Sequence, residues 1–379
     1  MDFTPVEPPV WIDDPVKLER LVPLLENESR LAIDTESNSL YAYHEKVCLL
    51  QISTAGVDYL IDPFKVNLAP LAQIFSNTRI EKIFHAAEYD LICLKRDYQF
   101  EVNHLFDTMI AARILGLPEV GLGSLLASRF GIILDKRYQR ANWGIRPLTE
   151  PMKIYAALDT HYLFRLRDSL SQNLMEKDLL PLAEEDFRLI SKAEGHGQNG
   201  SNMNCWKVAG AARITPRQAA VLNQLCLYRD EQARKADLPH FKVLSNQQLV
   251  ALCTAEITKI EDLENVEGMT TKLLRKHGEQ LFSAITKGLA SPPIPKPIRP
   301  RLDEQYLVRM EKLKQWRKKI GKELKVESDV ILPRDLVEAL AYHHPGTQKE
   351  LEALMLEFPY RLSKFGHAIL DLLNQEEEK

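Results

Sequence analysis

Cysteine is scarce in this chain of 379 residues: Cys48, Cys93, Cys205, Cys226 and Cys253 are all it has. The number is odd and no two form a Cys-x-x-Cys, so neither a disulfide framework nor a thiolate zinc site is expected, and the usage fits a reducing compartment. Long apolar runs are missing as well, none approaching the roughly 20 residues that a membrane-spanning helix needs. The N-terminus, MDFTPVEPPVWIDDP, is acidic and lacks both the basic and the apolar region of a secretory signal. The expectation is a soluble, cytoplasmic protein with no membrane partner. No Gly-x-x-x-x-Gly-Lys-[Ser/Thr] phosphate loop is present, which removes that route to nucleotide hydrolysis. Overall basicity is missing too: the net charge of −4 excludes a uniformly basic nucleic-acid binder.

What is present is an ordinary globular composition, 45% hydrophobic and 27% charged, without the bias of collagen, coiled coil or disorder. The length allows two or three domains with cores of their own. Residues 1–180 alternate strand and helix patterns. LAIDTESN, KVCLLQIST, VDYLIDPF and RIEKIFH read as strands. Between and after them KLERLVPLLEN, LAPLAQIFSN, AAEYDLICLKRDY, DTMIAARILG, GLGSLLASRFG and PLTEPMKIYAALDTHYLFRLRDSLSQNLMEK read as helical. That alternation implies an α/β layer architecture.

Two polar landmarks divide the rest. GHGQNGSNMN lies near residue 200, and SPPIPKPIRPRL (291–302) holds five prolines and reads as a semi-extended linker. The segments 205–290 and 302–375 that they delimit are both helical and look like diverged copies of one unit. Each has a basic amphipathic helix, a proline-flanked turn, a short helix and a closing helix entered near a lysine–glycine signal, Lys276–Gly278 and Lys364–Gly366. Between Lys296 and Lys325 there are eleven Lys/Arg against four Asp/Glu, a local positive excess that the whole-chain charge conceals.

Candidate chemistry comes from three pieces. Asp34 and Glu36 lie one residue apart at the end of an apolar strand, where positions i and i+2 share a face. Two like charges side by side repel, and a divalent cation with a preference for hard oxygen ligands resolves the conflict. Alone, the pair is also explained by a strand ending in a polar turn. Asp90, in FHAAEYDLICL, reads by itself as a solvated helix residue. Tyr155 and Asp159 stand at i and i+4, which puts phenol and carboxylate on one helix face, although a packed tyrosine and a solvated aspartate would account for them equally. His85 reads as a satisfied core or supporting histidine, and Asp107 as an N-cap for the helix at Thr108.

Taken in order, Asp-x-Glu on a first strand, Phe-His-x-x-x-x-Asp, and Tyr-x-x-x-Asp on a late helix resemble the DEDD exonuclease superfamily in its tyrosine-bearing subgroup. IFHAAEYDL, FDTMIAARILG and YAALDTHYL read like the matching segments of ribonuclease D, and the two helical segments look like HRDC domains. The resemblance covers essentially the whole chain. It implies a ribonuclease H-like mixed β-sheet flanked by helices, followed by two small all-helical HRDC modules. It implies 3′→5′ exoribonuclease activity with two divalent metal ions, Mg²⁺ or Mn²⁺, held by Asp34, Glu36, Asp90 and Asp159, and with Tyr155 orienting the attacking water. The products would be nucleoside 5′-monophosphates.

The partner implied is RNA with a free single-stranded 3′ end, such as a tRNA precursor or another small structured RNA, acted on by a monomer. The basic helix LVRMEKLKQWRKKIGKELK and the segment RDEQARKADLP are candidates for phosphate contacts, against the simpler reading of a solvated helix face. Two other functions compete: a DNA 3′→5′ exonuclease, and a non-catalytic RNA-binding protein on a nuclease fold. All five catalytic positions are filled, which speaks against the second.

Overall fold

Six strands form one sheet in the order β1-β4-β3-β2-β5-β6: β1 (Val10–Ile12), β2 (Arg30–Ser37), β3 (Val47–Ser53), β4 (Asp58–Ile61), β5 (Glu81–Phe84) and β6 (Leu105–Asp107). The structure is a computed structural model and describes residues 7–192, 205–210, 212–297 and 303–375. The polar stretch GHGQNGSNMN and the last five residues of the proline-rich linker therefore lie outside the described residues.

The sheet is mixed. β2–β3 and β3–β4 pair antiparallel, whereas β1–β4, β2–β5 and β5–β6 pair parallel. All seven residues of β3 are buried, as a strand covered on both faces requires. The four longer strands are those the sequence pattern predicts. The two edge strands are additions, each three residues long and too short to show a period of two.

Helices cover the sheet. The Pro15–Glu26 helix starts at Asp14, whose side chain accepts from the Val16 N–H, and it buries Leu18, Leu21 and Leu25. The long helical pattern after residue 147 breaks at Tyr162 into Glu150–His161 and Leu163–Glu176. LAPLAQIFSN forms only a 3₁₀ turn, Ala69–Leu71, and a short helix, Ala72–Ser76. No helix among the described residues is long and apolar enough to cross a membrane. All five cysteines are buried thiols.

The chain divides into two compact units. One comprises the described parts of Met1–Ser37, Val47–Gly195 and Arg301–Lys379, the other those of Asn38–Lys46 and His196–Pro300. In the second unit, Thr271–Ala290 and Asn246–Thr254 both pack on Pro216–Ala236 around Leu222, Leu225, Leu249 and Leu281. Gly288 permits the close approach, since a Cβ there would stand 2.4 Å from the Val221 Cα. The last helical module, built on Glu304–Leu324, Arg334–His343 and Pro359–Asn374, shares a unit with the sheet. The lysine–glycine signals mark no helix entrance: Gly278 and Gly366 lie inside Thr271–Ala290 and Pro359–Asn374. Both are buried, and Gly366 lies close against Leu351 and Leu362.

Candidate active site

β2 outlasts its neighbour. Its pairing with β5 ends at Ala32–Ile83, and two residues past Ile33 the Thr35 N–H donates to the Asp90 carboxylate at 3.1 Å instead. The Thr35 hydroxyl donates to the same oxygen. Asp90 sits in the first turn of the Glu88–Tyr98 helix, where the helix dipole favours a negative charge, and it is buried.

That helix start is itself fixed. Ala86 takes φ 63°, and Asp107 accepts from the Ala86 and Ala87 N–H groups at 3.2 and 2.7 Å. Asp107 also caps the following helix through Met109 and Ile110. One buried carboxylate thus serves as the expected N-cap and holds the turn before Asp90. His85 hydrogen-bonds through Nδ1 to the Thr108 hydroxyl at 2.8 Å, and burial pulls its pKa down to about 4. It is a neutral packing group, as its sequence context predicts.

Asp34 and Glu36 project together from β2, and the Glu150–His161 helix lies across β2, β3 and β4. Thr149 caps that helix, and Met152, Ala156, Ala157 and Thr160 form its buried face. Asp34, Glu36 and Asp159 each offer a carboxylate oxygen within 4.8 Å of the others. Asp90 is not in that triad. It is turned to Thr35, yet near enough for its charge to act on both Asp34 and Glu36.

Burial, reinforced by Asp90, Asp159 and Glu36, pushes the Asp34 carboxyl well above the usual range. Burial and the charges of Asp159 and Asp90 do the same to Glu36, and burial raises Asp159 to about 7. The Tyr155 phenol is raised as well, by burial first and then by Asp159, Glu36 and Asp34. The tyrosine therefore faces the carboxylates and keeps its proton at neutral pH.

Residues outside the sequence reading complete the surroundings. Gln51, fully buried on β3, is the cross-strand partner of Asp34, and its amide nitrogen lies 3.5 Å from that carboxylate. The rings of Tyr138 and Trp143 stand 5.9 and 6.0 Å from that of Tyr155. Arg146 holds the loop that carries them, spending all five donors on Asp62 and the carbonyls of Cys48, Trp143 and Ile145. A polar residue inside VCLLQIS was a legible signal for Gln51. Nothing in the sequence pointed to Arg146.

Burial raises all three carboxyls, and neighbouring charges add to the rise at Asp34 and Glu36, so the set resists ionising together. Their all-oxygen character suits hard divalent cations such as Mg²⁺ or Mn²⁺, and cation binding would remove the repulsion. The donor set fits a metal centre.

Comparison with known proteins agrees. Residues 9–175 match the 3′-5′ exonuclease family, and residues 218–285 and 307–373 each match the HRDC domain. The chain is 30% identical over 288 residues to the ribonuclease D of Shewanella sp. (strain ANA-3), an overlap of 75% of this chain and 74% of that protein. The chain belongs to the ribonuclease D family. It carries the exonuclease domain first and the helical HRDC modules after it. It is also 32% identical to the exosome complex exonuclease RRP6 of Saccharomyces cerevisiae, over 74% of this chain but only 40% of that protein, so it spans well under half of that relative. The crystal structure of the catalytic core of RRP6 from Trypanosoma brucei superposes with a TM-score of 0.67 at 28% identity, covering 76% of this chain and 82% of that one.

Proposed function

We propose that this ribonuclease D-family chain is a 3′→5′ exoribonuclease that hydrolyses phosphodiesters from a free single-stranded 3′ end and releases nucleoside 5′-monophosphates. The observation that carries the reading is the convergence of Asp34, Glu36 and Asp159 from a strand and a helix to within 4.8 Å, with the Tyr155 phenol facing them. Asp34, Glu36 and Asp159 would hold divalent cations, Mg²⁺ or Mn²⁺, and Asp90 would add its charge from the Thr35 side. When bound, such ions supply water activation and neutralise charge developing on the phosphoryl group.

The remaining work belongs to the chain. Tyr155, protonated, orients the attacking water by hydrogen bonding. Thr35 and Gln51 hold the carboxylates of Asp90 and Asp34 in place. The ribonuclease D and RRP6 relatives support RNA as the substrate. Within RNA, tRNA precursors and other small structured RNAs are the substrates this reading names, handled by a monomer with its exonuclease domain in residues 1–180 and HRDC domains in 205–290 and 302–375. The five buried thiols support a reducing, cytoplasmic setting.

The test is direct. Purified protein is given 3′-extended tRNA and single-stranded DNA of equal length, with Mg²⁺, Mn²⁺ or EDTA, beside the Asp34→Asn and Asp159→Asn variants. Stepwise loss of 5′-monophosphates from the RNA, abolished by EDTA and by either variant, is expected. Faster digestion of the DNA would replace this reading with that of a DNA exonuclease, and wild-type rates in the variants would dismantle the metal-site assignment.

A further inference from the structure

Gln51 stands where a strand core residue should be apolar. Its neighbours on β3, Leu49, Leu50 and Ile52, are fully buried, and Gln51 is as buried as they are. It lies directly opposite Asp34 in the antiparallel register, so the two side chains share a face of the sheet. The amide nitrogen is 3.5 Å from Asp34 Oδ2, a long contact that a small adjustment would shorten. Bonded to the same carbon, the amide oxygen has no hydrogen-bond partner among the described residues. A buried acceptor left unmade destabilises the fold. An apolar side chain of the same length would avoid that cost, so the amide calls for a ligand that completes it.

We infer that Gln51 is a positioning residue for the metal centre: its N–H group orients the Asp34 carboxylate toward a bound cation, while its Oε1 accepts from a water of that cation's hydration shell. The inference rests on the metal-site reading and extends it to a residue outside the acidic set. Partners of ligating carboxylates act in this way elsewhere, and removing one typically weakens metal affinity by about 10- to 100-fold.

Gln51→Met keeps length and apolar bulk while deleting both hydrogen bonds. Mn²⁺ binding is followed by the electron paramagnetic resonance of the free ion, for wild type, Gln51→Met and Asp34→Asn, and each protein is melted in EDTA. Gln51→Met is expected to weaken Mn²⁺ binding about 10- to 100-fold with a melting temperature in EDTA no lower than that of wild type, because the unmade acceptor is gone. Affinity within threefold of wild type, or a loss of affinity accompanied by a lower melting temperature in EDTA, would overturn the inference. If wild type binds Mn²⁺ and Asp34→Asn does not, while Gln51→Met binds normally, the metal site stands and only the role of Gln51 falls. If wild type binds no Mn²⁺, both fall together.

Discussion

Asp34, Glu36 and Asp159 face one another as like charges, whereas Asp90 has hydrogen-bond donors of its own in Thr35. The difference has consequences for pH. All four carboxyls have folded-state pKa values above their usual ones, Asp90 and Asp159 at about 7. For groups raised in this way the metal-free fold is favoured below the unfolded pKa values near 4 and loses stability as pH rises toward 7. A cation binds the deprotonated set and reverses that loss. The melting temperature with Mn²⁺ minus that in EDTA is therefore expected to widen between pH 5.5 and pH 8, with a gain of about 2.7 kcal/mol once the ion is at a hundred times its dissociation constant. A gap that stays flat or narrows in differential scanning fluorimetry would contradict the assignment. Tyr155→Phe removes only the hydroxyl from a ring packed near Tyr138 and Trp143. Single-turnover digestion of a 3′-tailed RNA is expected to slow by about 10²- to 10⁴-fold with little change in RNA affinity, and an unchanged rate would take the tyrosine out of the mechanism.

Among the elements, the segment between the helix Leu122–Phe130 and the helix Glu150–His161 has no regular structure, yet it delivers Trp143 to Tyr155. Arg146 replaces the missing ladder by saturating its guanidinium, with Asp62 almost fully buried beneath it. Lysine cannot reproduce five donors in a planar fork. Arg146→Lys is expected to cost about 1–3 kcal/mol in urea unfolding, because buried acceptors lose partners. It is also expected to lower turnover by about 10- to 100-fold through displacement of Tyr155, and normal values of both would show that the loop holds itself. The strands that carry the site were readable because they are eight and seven residues long. β1 and β6 were not, since three residues show no period, and the break at Tyr162 was hidden because helical spacing continues across it.

In the whole molecule, the last helical module is less independent than its sequence suggests. Arg361 is fully buried and gives every donor away, to Glu185, Asp186 and the carbonyls of Val330 and Ile331, while Glu185 also accepts from the Tyr360 N–H at 2.7 Å. Arg113 pairs with Asp329 at 2.6 Å, and Val330 belongs to the same apolar core as the sheet. Arg361→Ala leaves two carboxylates unpaired and is expected to cost about 3–5 kcal/mol in chemical unfolding; a loss below 1 kcal/mol would mean that the module is not held by this arginine. Truncating the module would disturb the nuclease itself, so its role toward RNA is better probed on the surface. Lys314 and Lys318 are exposed on Glu304–Leu324. Converting both to Gln is expected to reduce the salt slope of RNA binding by about 0.7 for each phosphate that a lysine no longer neutralises, and an unchanged slope would assign RNA binding to another surface.

By itself the sequence determined the α/β order of the first domain and the two helical repeats, both written in local spacing as apolar runs of strand or helix period. It offered the acidic positions and Tyr155 as candidates, since i and i+2 on a strand or i and i+4 on a helix set a shared face but only the resemblance to a nuclease family joined them into one set. Only the tertiary structure decided that three of the acids converge while Asp90 turns to Thr35, that Gln51 joins Asp34, and that the last module shares a unit with the sheet. Those outcomes depend on which strand lies beside which and on where buried charges find partners, and such pairings between residues far apart leave no periodic trace in the chain.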